Sequence, residues 1–266
     1  MPGLGWATDP HLNFVSPERL DCFCGELIAE NPEAVLLTGD LAEAPSLGGI
    51  LTRIEQNVQR PVYFVLGNHD YYRSSIERVR NAVAQHCRAS KWLTYLNTAG
   101  VVELSRETAL VGHDGWGDAG YGAYWLSRVR LSDFELITDF IGLDRGALWR
   151  RLRELGAEAG EHFRSVLAQA LPRYRNVIIA THVPPFDRAA WHEGRMSEPG
   201  WLPYFSCKAA GEAIREAFEN HPQCRGLVVC GHTHGGGEVD ILPNLHVTTG
   251  AAVYEKPAAQ RVLPWT

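Results

Sequence analysis

A chain of 266 residues, 45% hydrophobic and 21% charged, is long enough to bury a large core and too apolar to be disordered. Its net charge of −6 lacks the basic excess that nonspecific nucleic-acid binding needs, so a long nucleic acid is a disfavoured partner. No run approaches the ~18 apolar residues of a membrane span, the start has no apolar secretory core, and the cysteines are scattered, so a cytoplasmic protein with reduced thiols and no membrane partner is expected.

Ser16, Pro17 and Glu18 give a capping side chain, a first-turn proline and an acid in order, predicting a helix to about Glu30. Ala34 to Thr38 reads as a buried strand delivering Asp40 to a loop. A helix over Ile50 to Gln59 and a strand over Val62 to Leu66 repeat the pattern and deliver Asn68 and His69. Ser74 or Ser75 caps a helix through Cys87, and Val101 to Leu104 and Thr108 to Val111 look like paired strands. From Trp116 to about Arg175 the chain is rich in Arg, Glu, Gly and aromatics, with Leu148, Leu152, Leu155, Ala159, Phe163, Val166 and Leu167 at helical spacing. This reads as a helical insertion, 116–175, within a single domain covering 1–266. Strand signals return at Asn176 to Ala180, Gly226 to Cys230, Glu238 to Leu242 and Leu245 to Thr249, with a helix between Lys208 and Asn220.

Gly115 to Gly120 spells a dinucleotide-binding fingerprint, but no apolar strand follows until Asn176, so it reads as a flexible hinge into the insertion. No phosphate-binding P-loop and no serine nucleophile elbow occurs. His86, His162, His192, His221 and His246 read as ordinary surface or core residues.

Chemistry concentrates in six short stretches, most of them directly after a strand-like run: Asp9 to His11, Gly39 and Asp40, Gly67 to Asp70, Gly112 to Asp114, Thr181 and His182, and Gly231 to His234. Acids and imidazoles at strand ends with glycines beside them place a site on loops at one sheet edge. Asp9 with His11, and His232 with His234, would project the same way from an extended backbone and so face one centre.

In order and spacing these stretches resemble the signature of the calcineurin-like metallophosphoesterases: D-x-H, G-D, G-N-H-D/E, a lone His and G-H-x-H. The resemblance runs from Asp9 to His234. It implies a four-layer αββα sandwich of two mixed β-sheets flanked by helices, with the insertion as a partial cap. It implies two metal ions bridged by Asp40, one completed by Asp9, His11 and His234, the other by Asn68, His182 and His232. Mixed carboxylate, imidazole and amide donors suit Mn, Fe or Zn. Two cations ~3.5–4 Å apart clamp an in-line displacement at phosphorus, and a bridging hydroxide is the expected nucleophile.

By the same resemblance His69 is the general acid, with Glu43, three residues after Asp40, as its orienting partner; Asp70 is the alternative partner, or holds the turn. His113 is expected at the border of the site, and Arg195 as a clamp on the substrate's phosphate. The expected activity is hydrolysis of a small phosphodiester or phosphomonoester. The protein-phosphatase branch carries G-D-Y-V-D-R-G where Gly39 to Pro45 stands here without that Arg, so phosphoprotein is a less favoured substrate. A noncatalytic scaffold and a nuclease are the competing readings.

Overall fold

The computed structural model describes residues 3–265. In chain order the first half runs β1 (Gly3–Ala7), α1 (Pro17–Ile28), β2 (Ala34–Thr38), α2 (Ala44–Val58), β3 (Val62–Val65), α3 (Ile76–Ala89), β4 (Leu93–Tyr95), α4 (Leu96–Ala99), β5 (Val102–Glu103) and β6 (Thr108–His113). An excursion carrying α5 (Asp133–Leu136) leads into α6 (Arg145–Ala170). Then follow β7 (Asn176–Thr181), β8 (Trp191–His192), β9 (Arg195–Met196), α7 (Leu202–Phe205), α8 (Lys208–Glu219), β10 (Arg225–Cys230), β11 (Gly237–Leu242), β12 (Leu245–Thr249) and β13 (Arg261–Pro264).

One sheet has the order β13-β1-β2-β3-β4, the other β11-β12-β10-β7-β6-β5, and β8 and β9 form a separate small hairpin. β1 to β4 are parallel, as are β6, β7, β10 and β12, so these strands deliver their carboxyl ends to one edge of each sheet. Strand alternation sets the layers. On β2, Ala34 and Leu36 face the opposite sheet with Leu4, Trp6, Leu110, Ile178 and Val229, while Val35 and Leu37 pack outward on Phe23, Leu27, Leu51 and Ile54 of α1 and α2. The second sheet turns Val111, Ile179 and Val228 toward Phe163, Ile214 and Phe218 of α6 and α8. The result is helix, sheet, sheet, helix.

Local capping agrees with the sequence at α1, where the Ser16 side chain accepts from the Arg19 N–H at 3.3 Å, and at α3, where Ser75 does the same for Arg78. The stretch expected as an insertion divides in two. The C-terminal half of α6 (Ala159, Phe163, Leu167) belongs to the outer helical layer on the second sheet, whereas Leu152 and Leu155 join Tyr124, Ile137 and Phe140 of the excursion. Residues 111–118 are buried, so the glycine-rich run expected as a flexible hinge is instead anchored. Asp118, fully buried, accepts from the Lys208 and Ala209 N–H groups at 3.0 Å and so caps α8. β13 and the short β4 carried no clear sequence signal.

Candidate metal centre

The loops after β1, β2, β3, β7 and β10 bring Asp9, His11, Asp40, Asn68, His182, His232 and His234 together at the carboxyl ends of the strands, where all but His232 and His234, which are half-buried, are buried. Asp9, His11, Asp40, His232 and His234 all have positive φ, between 43° and 70°. The D-x-H and H-x-H pairs are therefore not extended, as the sequence suggested; left-handed turns aim both members inward. Each non-glycine residue held there costs about 1–2 kcal/mol, strain that a packed surround must hold in place. Gly67 is required for a different reason: a Cβ there would collide with Asp40 Oδ1.

Ligand-atom directions can be read from the hydrogen bonds. His182 Nδ1 lies 2.9 Å from the Thr38 carbonyl, so its N–H donates there and Nε2 is left with a lone pair. His232 Nε2–H likewise donates to the Tyr204 carbonyl at 3.1 Å, leaving Nδ1 bare. Asn68 donates through Nδ2 to Asp133 Oδ1 at 2.8 Å, which fixes its Oδ1 on the opposite side. His182 Nε2, His232 Nδ1 and Asn68 Oδ1 then stand 2.9–3.2 Å apart, three acceptors with no proton between them. A cation would resolve such a cluster.

A second group forms around the other oxygen of Asp40. Oδ1 of Asp40 is 3.4 Å from His182 Nε2, while Oδ2 is 3.8 Å from His11 Nε2, so the carboxylate faces both groups. Asp9, His11, Asp40 and His234 offer ligand atoms all within 4.8 Å of one another, a set that could hold a metal ion. His11 Nε2 is 3.1 Å from His234 Nε2, and His11 Nδ1 is buried with no partner. Burial and the adjacent Asp9 push the Asp40 carboxyl well above the carboxylate range. Burial opposes the charge on Asp9 too, yet His182 and His234 keep its pKa lowered. Burial, then His69, lowers the His11 imidazole to about 2, and burial, then His182, takes His232 to about 3. Neutral imidazoles at His11 and His232, with further imidazole and amide donors around two acids, are a donor set that fits divalent or trivalent cations.

His69 lies at the mouth. Its Nε2 is 3.9 Å from Asp40 Oδ2 and 3.4 Å from Tyr254 Oη, its ring packs on Tyr72 with centroids 4.3 Å apart, and its Nδ1 is buried without a partner. Glu43, expected to orient it, is taken by Arg73, with Nε to Oε2 at 2.7 Å. Asp70 accepts from the Ala42 and Gly67 N–H groups at 2.8 Å, clasping the loops after β2 and β3 as in the turn-holding reading. His113 continues the outward alternation of Ala109 and Val111 and so faces α6, 3.7 Å from Glu158 and with its ring tilted against that of His162. Arg195 sits on the exposed β8-β9 hairpin, paired with Glu198 at 2.9 Å.

The cleft over the centre, about 280 Å³, is lined instead by Arg130, Asp133, His192 and Tyr254. No motif marked these four, since each lies outside the strand-end stretches, and His192, expected as an ordinary surface or core residue, lines the cleft. A further buried acid, Asp114, accepts from Leu66 N–H, Tyr71 Oη, Tyr95 Oη and Arg80 Nε at 2.5–3.0 Å and ties the loop before Asn68 to the second sheet. It was legible only as part of the run Gly112 to Asp114.

Two mixed sheets between helical layers, with acids and imidazoles gathered where the parallel strands end, define a metallophosphoesterase. The family model of calcineurin-like phosphoesterases matches residues 5–236, and the chain belongs to that family. Among curated protein sequences none matches. Of solved structures, a phosphopantetheinyl hydrolase from Mycobacterium tuberculosis is similar with a TM-score of 0.67 at 13% identity, over 96% of this chain and 90% of that one. A dimetal phosphatase from Danio rerio gives 0.59 at 15%, over 98% and 91%. At such identities the likeness is one of fold.

Proposed function

We propose that the protein hydrolyses a small phosphodiester or phosphomonoester at a two-metal site, with Asp40 shared between Asp9, His11 and His234 on one side and Asn68, His182 and His232 on the other. The observation that carries this is the proton-free cluster of His182 Nε2, His232 Nδ1 and Asn68 Oδ1 beside an Asp40 whose two oxygens face different imidazoles. When bound, the ions would supply Lewis acidity at the phosphoryl oxygens and lower the pKa of water toward neutrality.

The chain's own part is to position and to move a proton. Arg130, exposed at the lip of the cleft, meets the anionic ester. A water that has given up one proton to solvent bonds through its oxygen to phosphorus, the ester P–O bond breaks with its electron pair on the leaving oxygen, that oxygen takes a proton from His69 Nε2, and solvent returns a proton to His69. Nε2 is the nitrogen that faces the cleft and Tyr254, while Nδ1 has no acceptor to donate to.

The test is a panel of mono- and diesters assayed after reconstitution with Mn, Fe or Zn, together with metal counting. Two ions per chain and turnover that Asp40→Asn abolishes are expected. Turnover unaffected by Asp40→Asn, or a loaded sample with fewer than two ions, would overturn the reading.

A further inference from the structure

Beside the metal cleft lies a larger cavity of about 570 Å³, within the size range of small-molecule sites. It is built almost wholly by the excursion between β6 and α6. The two spaces share Arg130 and Leu131, so a single ligand can reach from one into the other. Its walls combine aromatic surface, from Tyr124, Phe134 and Phe140, with three guanidinium groups against one carboxylate, Glu135. Arg145 is already held by the carbonyls of Tyr124 and Ser127. Arg128 and Arg130, both exposed along the cavity wall, make no hydrogen bond or ion pair among the described residues. Next in the chain to the lining residues Tyr124 and Phe140, the apolar Trp125, Leu126 and Ile141 are 58%, 84% and 56% exposed. Exposed apolar side chains around a cavity mark a ligand site more often than chance surface.

We infer that this cavity receives the organic half of the substrate, and that the substrate is a phosphoester of nucleotide size whose alcohol carries a ring-bearing or apolar body and a second negative charge. The inference rests on the phosphoester reading above. The scissile phosphate sits over the Asp40 cluster, Arg130 spans the junction, and Arg128, which lines only the larger cavity, neutralises the second anion there. A small monoester leaves all of that surface wet, which is why a phosphate clamp on an exposed hairpin is not needed.

Binding is tested on the metal-loaded protein with two fluorescent probes of the same shape, the anion 8-anilinonaphthalene-1-sulfonate and neutral N-phenyl-1-naphthylamine. The anion is expected to bind about tenfold tighter, one charge-assisted contact's worth. Arg128→Ala removes that preference, and Leu143→Trp, which fills the cavity from a partly exposed position, weakens both probes. In parallel, the ratio of kcat/KM for adenosine 3′,5′-bisphosphate to that for phenyl phosphate falls about tenfold in either variant, mainly through KM. Equal affinity for the two probes, or a ratio unmoved in both variants, overturns the assignment. If phenyl phosphate is hydrolysed and no charge preference appears, the cavity assignment fails alone. If the preference appears but neither ester is hydrolysed with any metal, the phosphoester reading fails and takes the leaving-group role with it.

Discussion

Asp133→Ala tests whether the excursion helps build the metal centre. Asp133 is buried and its Oδ1 accepts from both Asn68 Nδ2 and Tyr72 Oη at 2.8 Å. Charge-assisted bonds of this kind are worth about 1.5–3 kcal/mol each. Part of that is offset by relief from burying the carboxylate, which already raises its pKa, so the expected net stability loss is about 1–3 kcal/mol. The larger effect is on the Asn68 amide. Once Asp133 is gone the amide can flip, and its N–H groups would then donate to His182 Nε2 and His232 Nδ1, pairing the lone pairs that otherwise await a cation. Metal affinity at that site should fall about 10–100-fold, as for other residues that orient a ligand. Asp133→Asn, which keeps an oxygen able to accept from Asn68, should fall between. Chelator competition with Mn and Zn, with metal counting and thermal melting as controls, measures this. A folded Asp133→Ala protein that holds its second ion within twofold of the parent affinity would refute the argument.

His69→Ala should retain two ions per chain while turnover falls about 100- to 10,000-fold, and steady-state rates at parental turnover would remove His69 as the acid. Asp114→Asn sets an amide NH2 against either the Arg80 guanidinium or the Leu66 N–H, neither of which can accept from it, and should cost about 3–5 kcal/mol. At roughly 2–4 °C per kcal/mol for a chain near this size, scanning calorimetry should show a Tm lower by about 6–20 °C. The nearby His113 imidazole, 3.7 Å away, and after it the charge of Arg80, hold the Glu158 carboxyl at about 2 against a burial penalty, below its ordinary 4.5. A depressed carboxyl stabilises the fold above its unfolded pKa and loses that contribution as pH falls through the folded one. The Tm gap between the parent and Glu158→Gln should therefore shrink as pH is lowered from 5 toward 2, and a constant gap would show that Glu158 contributes nothing through its charge.

The strand-helix order of the first half was legible because Ala34 to Thr38 and Val62 to Val65 are short apolar runs ended by glycine, and because Ser16 and Ser75 are strong helix caps. The seven candidate ligands were legible for the same local reason, being acids and imidazoles next to turn residues. His113 was harder: whether it faces the cleft or α6 depends on which side of β6 is covered by a helix, and no local pattern states that. Glu43 stands at the expected spacing, yet Arg73, thirty residues away, claims it.

By itself, then, the sequence determined the chemistry available and the strand ends that carry it, since hydrophobic periodicity and turn residues are properties of neighbouring positions. The aim of those side chains was decided only in three dimensions. Left-handed turns at Asp9, His11, His232 and His234 replaced the extended geometry, and Asp133 from a distant helix set the face of Asn68. The walls of both cavities likewise come from segments that meet only after the sheets have stacked. Such contacts join residues far apart along the chain, and their energies depend on burial and partners that exist only in the folded protein.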